Sequence, residues 1–434
     1  MAAAGSAVGL GNIWGFPNQV ASNGGAAFLL VYILCCFTVG YPVMVAELAI
    51  GRNTKKNPVG AFKALSPGNT IAPLIGMWGV LCGVMIMAFY IVLAGWTFGF
   101  IFEQSAGLIG MSDLKGQLSD LSNGHKNAFF SSLFIVLTVW IVSRGVSSGI
   151  ERAAKTMMPA LILLLVFMIG FIISQKGATE GLLLYLRPDL SKINSTLIVS
   201  ALGQAFFSLS LGMGALITYG SYMDRRQNIP RAAALVTLAD LSIAFLAGLL
   251  IIPAMYVAQA NQVQILDDQG SLISSTGLVF SVLPSLFDSL GWLGTIFGIL
   301  FFVLLSIAAL TSTISLLEVP ASYLIDEWGL SRRKAAVGAG TCVGVISIFV
   351  AYRPETIGLM VNVFNDFGLP LGGLLICLFL GFFWTSKSAL TEIESGRPGS
   401  RDGIYGRVWS VCVRYICPTL ILVVLCHKFG ILAV

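Results

Sequence analysis

Gly5-Ser6-Ala7-Val8-Gly9-Leu10-Gly11-Asn12-Ile13-Trp14-Gly15-Phe16-Pro17 is apolar enough to sit in a membrane, yet it holds four glycines and ends in a proline. Glycine costs a helix roughly 1 kcal/mol relative to alanine, so a membrane helix built this way is poised to break at mid-depth. Broken backbone is tolerated in a bilayer only where protein buries it or where it lines a cavity. Two hundred residues later, Phe207-Ser208-Leu209-Ser210-Leu211-Gly212-Met213-Gly214 repeats the pattern. Paired glycine-interrupted segments at matching places in two halves of a membrane chain point to a binding site between those halves. The competing reading is that the glycines only let helices pack closely.

Composition supports a membrane setting for nearly the whole chain. Hydrophobic residues make up 56% of the 434 residues and charged residues 10%, with a mean hydropathy of +0.89. Soluble domains carry about a quarter charged residues. No basic leader precedes the first apolar segment, so no cleavable signal peptide is read. The eight cysteines lie in apolar spans without metal-ligand spacing and are read as reduced packing residues. No G-x-x-x-x-G-K-[ST] loop is present, so ATP is not the expected energy source. His125 and His427 offer no catalytic arrangement, and no enzyme activity is expected.

The apolar runs predict an all-α membrane protein of eleven spans, at 1–19, 26–50, 74–104, 127–143, 154–174, 196–222, 231–257, 292–325, 333–351, 356–383 and 406–428. Basic residues concentrate in the loops after the second, fourth, sixth, eighth and tenth spans, including Arg52, Lys55, Lys56, Arg225, Arg226, Arg332, Arg333 and Arg401. The positive-inside rule then places the N-terminus in the cytoplasm and the C-terminus outside, in a plasma or inner membrane. The stretch 257–291 lacks lysine and arginine and is long enough for short helices and an external lid. The stretch 384–407, with Gly396, Pro398, Gly399 and Gly403, reads as a turn-rich connector.

The opening stretch followed by Asn23-Gly24-Gly25 resembles the first helix of the neurotransmitter:sodium symporter family. Gly40-Tyr41-Pro42 with Glu47 and Gly51-Arg52 is similar to that family's second helix. Gly203-Gln204-Ala205-Phe206-Phe207-Ser208-Leu209-Ser210 resembles the sixth, and Ala308-Ala309-Leu310-Thr311-Ser312 the eighth. The match covers essentially the whole chain and looks most like bacterial eleven-helix members that take up hydrophobic or aromatic amino acids. It implies the leucine-transporter fold in one domain, 1–434, with helices 1 and 6 broken. Two inverted five-helix repeats would occupy about 1–174 and 196–383, with an extra helix at about 406–428.

The chemistry of broken helices agrees with that resemblance. Freed carbonyls plus Ser, Thr and Asn oxygens suit an alkali cation, and freed amides at half-helix N-termini suit a carboxylate. By resemblance, a first sodium would sit on the carbonyls of Ala7 and Ser208, the side chains of Asn12 and Ser208, the substrate carboxylate and Asp240. A second would sit on the carbonyls of Gly5, Val8 and Ala308 and the hydroxyls of Thr311 and Ser312. The Leu10 and Gly11 amides and the Tyr90 hydroxyl would hold the substrate carboxylate. The carbonyls of Ala7 and Phe207 and the Ser210 hydroxyl would take its ammonium. Ile86, Phe207, Met213 and Leu316 would line the side-chain end, and Ser6, Gly9, Ser208 and Ser312 would complete the wall. Met213, flexible and polarizable, favours a bulky apolar or aromatic substrate.

Charges inside spans are costly and need a reason. Glu47 is expected to satisfy amides freed by the breaks, and Asp240 to hold sodium in place of a chloride requirement. Asp366 resembles the acidic half of the family's outer gate. Gly15 stands where the family has an arginine, so Asp366 is expected to have no partner. Glu318 has no assigned role, and Arg414 is read as snorkelling. Gly149 and Pro159 have the spacing at which some relatives unwind the fifth helix. The function expected is import of an amino acid by sodium symport, by a monomer or weak homodimer in contact with membrane lipid and with no nucleic acid partner. Alternatives are coupling to protons, a different small amine or zwitterion, or a ligand-gated channel or sensor. No repeated polar face of the kind that lines a pore is found.

Overall fold

The structure, a computed structural model, describes residues 7–109, 116–265, 277–384, 386–395 and 403–428, and in that range it is all helical. Among the described residues, nine helices are long and apolar enough to cross a membrane. They are α2 (Ala26–Thr54), α4 (Ala72–Leu108), α5 (Gly124–Ser143), α6 (Val146–Ile173), α10 (Ile229–Ala260), α12 (Gly291–Trp328), α13 (Arg332–Tyr352), α14 (Thr356–Phe383) and α16 (Ile404–Lys428). Two further apolar segments are interrupted. One is α1, a wide turn Gly11–Gly15 running into Phe16–Ser22. The other is the pair α8 (Ser195–Ser208) and α9 (Ala215–Tyr222). Short helices α3 (Pro58–Leu65), α7 (Ala178–Leu186), α11 (Leu278–Ser289) and α15 (Ser386–Glu394) lie in the connections.

Local chemistry sets most helix ends. The side chains of Asn57, Asn123, Asn194 and Asn228 each accept from backbone amides in the first turn of α3, α5, α8 and α10, which satisfies donors that have no partner inside the helix. Pro17 sits in the first turn of Phe16–Ser22, where a missing amide costs nothing. The left-handed Gly24 and Gly25 (φ 86° and 65°) then turn the chain into α2.

α4 and α12 form the most extensive helix pair, with α5 and α13 packed beside them. α9 lies along α2, and α10 crosses the wide turn of α1. Large apolar side chains face outward along α6, where Leu163, Val166 and Phe167 are exposed, as a lipid-facing helix requires. The stretch 384–407, expected as a turn-rich connector, contains α15, and its Gly396, Pro398 and Gly399 lie outside the described residues. That helix is anchored because Arg52, fully buried at the end of α2, donates from Nε to Glu392 Oε1 at 2.6 Å. Gly149 and Pro159 do not unwind α6: it runs from Val146 to Ile173 without a break. The stretch 257–291 holds α11, and its residues 266–276 lie outside the described range.

Candidate functional site

The first break lies at Val8 and Gly9, where the backbone leaves the helical path and Gly9 donates its amide to Asn12 Oδ1 at 2.9 Å. A Cβ on Gly9 would lie 1.7 Å from Ser312 Oγ and 3.0 Å from the Tyr90 hydroxyl, so only glycine fits there. The second break spans 209–214, and three of its residues are left-handed: Ser210 (φ 56°), Gly212 (φ 77°) and Gly214 (φ 78°). Gly212 donates its freed amide to Glu47 Oε1 at 2.8 Å, the role expected of Glu47. A Cβ on Gly212 would meet the Leu369 carbonyl at 2.2 Å, so the break packs backbone to backbone against α14.

Three residues expected at the first sodium converge. Asn12 Nδ2 donates to Asp240 Oδ1 at 2.7 Å and lies 3.2 Å from Ser208 Oγ, which itself donates to Asp240 Oδ1 at 2.7 Å. All three are buried. Ala239 is only half-buried, so Asp240 is the residue of that turn that faces the breaks. Tyr32 on α2 completes the cluster, donating its hydroxyl to Asp240 Oδ2 at 3.1 Å. The sequence reading missed Tyr32, since a tyrosine in an apolar helix carries no mark of its partner 208 residues away.

The residues expected at the second sodium are partly assembled. Thr311 Oγ1 lies 2.8 Å from the Val8 carbonyl and 2.8 Å from that of Ala308. Ser312 turns toward Gly9 and Tyr90, on the other side of the break. Gly5 and Ser6 lie outside the described residues.

Between the breaks is a cavity lined by Ala7, Gly9, Gly11, Ile86, Tyr90, Phe207, Ser208, Ser210, Met213, Ser312 and Leu316. Polar atoms gather where backbone is exposed, and the apolar side chains of Ile86, Met213 and Leu316 form the rest. Leu10, whose side chain is buried, donates its amide to the Tyr90 hydroxyl at 2.8 Å. A concave site between broken helices, lined by apolar side chains with few convergent polar groups, is the usual form of a small-molecule site.

Away from the cavity the structure corrects one expectation and fills a gap. Asp366 does have a partner: Lys428 Nζ, from the end of α16, lies 2.6 Å from its Oδ2. The space beside Gly15 is taken by the Gln204 side chain, whose Nε2 donates to the Gly11 carbonyl at 3.1 Å. Glu318, unassigned from sequence, is fully buried and accepts from Arg332 Nη1 at 2.7 Å and from the Tyr222 hydroxyl at 2.5 Å. Arg332 also donates from Nε to the Val142 carbonyl at 3.0 Å, which ties together the ends of α5, α9, α12 and α13.

The model of the sodium:neurotransmitter symporter family matches residues 1–109 and 111–432. The chain is similar to the uncharacterized sodium-dependent transporter YhdH of Bacillus subtilis, with 34% identity over 100% of this chain and 96% of the relative. It is also similar to a sodium-dependent transporter of Haemophilus influenzae, with 32% identity over 98% and 95%. The sodium-dependent serotonin transporter of Drosophila melanogaster is 27% identical over 98% of this chain and 74% of its own. Among solved structures, MhsT in complex with L-phenylalanine superposes with a TM-score of 0.86 at 38% identity, covering 99% of this chain and 97% of that one. A family match over nearly the full length, on a membrane chain broken at two facing places around a cavity, leads to one conclusion: this chain belongs to the sodium:neurotransmitter symporter family and is a sodium-dependent transporter of a small molecule, not an enzyme.

Proposed function

We propose that the chain imports a hydrophobic or aromatic amino acid together with two sodium ions, by alternating access and without chloride. The observation that carries this reading is the fully buried Asp240 carboxylate beside the cavity. Its hydrogen-bond donors Asn12, Ser208 and Tyr32 are all neutral. A buried carboxylate served only by neutral donors lacks charge compensation, and a sodium ion next to it supplies that. Ala7 and Ser208 then contribute oxygens of a first cage, and Asn12 joins them when its amide turns its oxygen, here on the Gly9 amide, toward the ion. Thr311 has a single hydroxyl proton and cannot donate to both carbonyls 2.8 Å away. A cation satisfies all three oxygens, so Val8, Ala308 and Thr311 form the second cage; the resemblance adds Gly5, outside the described residues, and Ser312, whose hydroxyl has to turn back from Gly9 to join it.

The substrate carboxylate binds the Leu10 and Gly11 amides and the Tyr90 hydroxyl, with its ammonium on the Ala7 and Phe207 carbonyls and Ser210. Its side chain fills the space toward Ile86, Met213 and Leu316, beside Gly9, Ser208 and Ser312. The complex of MhsT with L-phenylalanine supports an aromatic or bulky apolar side chain here. In this reading the nine long spans among the described residues and the two broken segments count as eleven crossings, with inverted repeats at about 1–174 and 196–383 and an added helix at about 406–428. The N-terminus then lies in the cytoplasm and the C-terminus outside. Binding of the twenty amino acids to the purified protein, in sodium and in potassium, tests the reading. Sodium-dependent, saturable binding of aromatic or large aliphatic ligands supports it, and equal binding in sodium-free buffer refutes it.

A further inference from the structure

Ionisable side chains deep in the described spans are mostly hidden. Glu47, Asp240 and Glu318 are fully buried and hydrogen-bonded. Arg414 is different. It lies ten residues after Ile404 in α16, on the exposed side of the helix, and among the described residues no carboxylate or carbonyl pairs with it. Ten residues of helix rise about 15 Å, half of a hydrocarbon core of about 30 Å. A cation placed there in plain lipid is expensive.

Its surroundings are shaped for a ligand rather than for a protein partner. The guanidinium carbon lies 5.1 Å from the Phe382 ring centre and 5.4 Å from that of Tyr415, and the stem rests against Gly381 of α14. Side chains on a helix lean toward its N-terminus, so Arg414 leans toward Ile404 and the loop that joins α14 to α16. Arg407, seven residues earlier, is also exposed and shares that side of the helix. Exposed Phe382, Phe383, Val408, Val411 and Tyr415 flank the two arginines with apolar surface.

We propose that Arg414 holds the phosphate of an anionic glycerophospholipid in the leaflet nearer Ile404, with Arg407 on the same side of α16 adding positive charge and the acyl chains lying along the exposed α14–α16 face. An arginine fork matches phosphate oxygens in two-point contact, and anionic headgroups are drawn to basic clusters at a membrane surface. A second copy of the chain fits less well. α16 contains no Asp or Glu, and α14 contains only Asp366, which is paired with Lys428. A two-fold contact through this face would therefore set arginine against arginine. Free phosphate would leave the apolar flanks bare, whereas acyl chains cover them.

The purified full-length protein in detergent micelles is titrated with dioleoylphosphatidylglycerol, dioleoylphosphatidylcholine or inorganic phosphate, and its melting temperature is followed. Phosphatidylglycerol is expected to stabilise the wild type, and Arg414→Gln to raise the half-effective lipid fraction about five- to tenfold, with Arg414→Lys between the two. Phosphatidylcholine and inorganic phosphate are expected to produce no such difference. Equal phosphatidylglycerol titrations for wild type and Arg414→Gln overturn the proposal, and so does stabilisation by inorganic phosphate alone. A shift from dimer to monomer on Arg414→Gln in phosphatidylcholine micelles overturns it in favour of a second copy. Should Arg414→Gln not fold, Arg414→Lys and Arg407→Gln carry the same comparison. Their titrations shifted to higher lipid support the proposal and unshifted ones refute it.

Discussion

Lys428 Nζ lies 2.6 Å from Asp366 Oδ2, so the α14 acid that resembles half of an outer gate is paired with the end of α16 and not with α1, where Gly15 offers no charge. Both side chains are about one-third exposed, at 32% and 34%. Exposed pairs contribute about 0–1 kcal/mol. Asp366→Asn and Lys428→Gln are therefore each expected to lower initial uptake by less than about fivefold. The double variant should be no worse than the weaker single. Loss of uptake by Asp366→Asn alone, at normal surface expression, would show that the carboxylate has another task.

Sodium should be required for ligand binding, and potassium should not replace it. Asn12→Ala removes an oxygen and a donor that positions Asp240, and Thr311→Ala removes the hydroxyl between Val8 and Ala308. Each is expected to raise the half-saturating sodium concentration about tenfold, the usual scale for one interaction with a charged group. Radioligand binding across sodium titrations measures this. An unchanged sodium dependence in both variants would place the ion elsewhere.

Asp240 also sets the expectation for chloride. A carboxylate about 5 Å from sodium contributes roughly 3 kcal/mol at an effective dielectric of 20. Asp240→Ser should weaken uptake in chloride-free buffer and recover partly when chloride is added. Tyr32→Phe removes one hydrogen bond to the carboxylate and is expected to have a milder effect, about 1 kcal/mol. A chloride requirement in the wild type, or a serine variant indifferent to chloride, refutes this assignment.

Met213 lines the apolar part of the cavity with Ile86 and Leu316. Met213→Phe is expected to reduce binding of tryptophan and phenylalanine more than tenfold relative to alanine, since even one methylene in a hydrophobic pocket is worth about 1–3 kcal/mol. Competition binding of small and large amino acids gives the ratio. Equal effects on alanine and tryptophan would move Met213 out of the substrate's reach.

The Glu318–Arg332 pair should matter for stability. Removing one partner leaves a buried charge unpaired, at a cost of about 3 kcal/mol or more. Arg332→Gln is expected to lower the melting temperature clearly, and Glu318→Gln combined with Arg332→Gln to recover much of the loss. Thermal melts of detergent-purified variants test this, and a double variant no better than Arg332→Gln contradicts it.

Much of the molecule was legible before folding. Composition alone puts the chain in a membrane, since 56% hydrophobic and 10% charged residues leave no soluble alternative. Glycines and the proline at 5–17, and the glycines at 212 and 214, mark the two breaks through local backbone preference. Glu47 and Asp240 announce themselves because a buried charge has to be explained. Helix ends were less sharp: the fifth span starts at Val146, not 154.

Partners are another matter. Lipid is as apolar as a protein core, so a membrane helix such as α4 or α12 is hydrophobic all round, and its sequence does not say which face meets protein. Tyr32 against Asp240, Arg332 against Glu318 and Lys428 against Asp366 depend on the rotation of each helix about its own axis. Packing sets that rotation. The sequence by itself determined the membrane class, the two breaks and the chemical demands of the buried charges. The tertiary structure alone decided which residues meet those demands, because facing side chains on different helices are joined by no local rule.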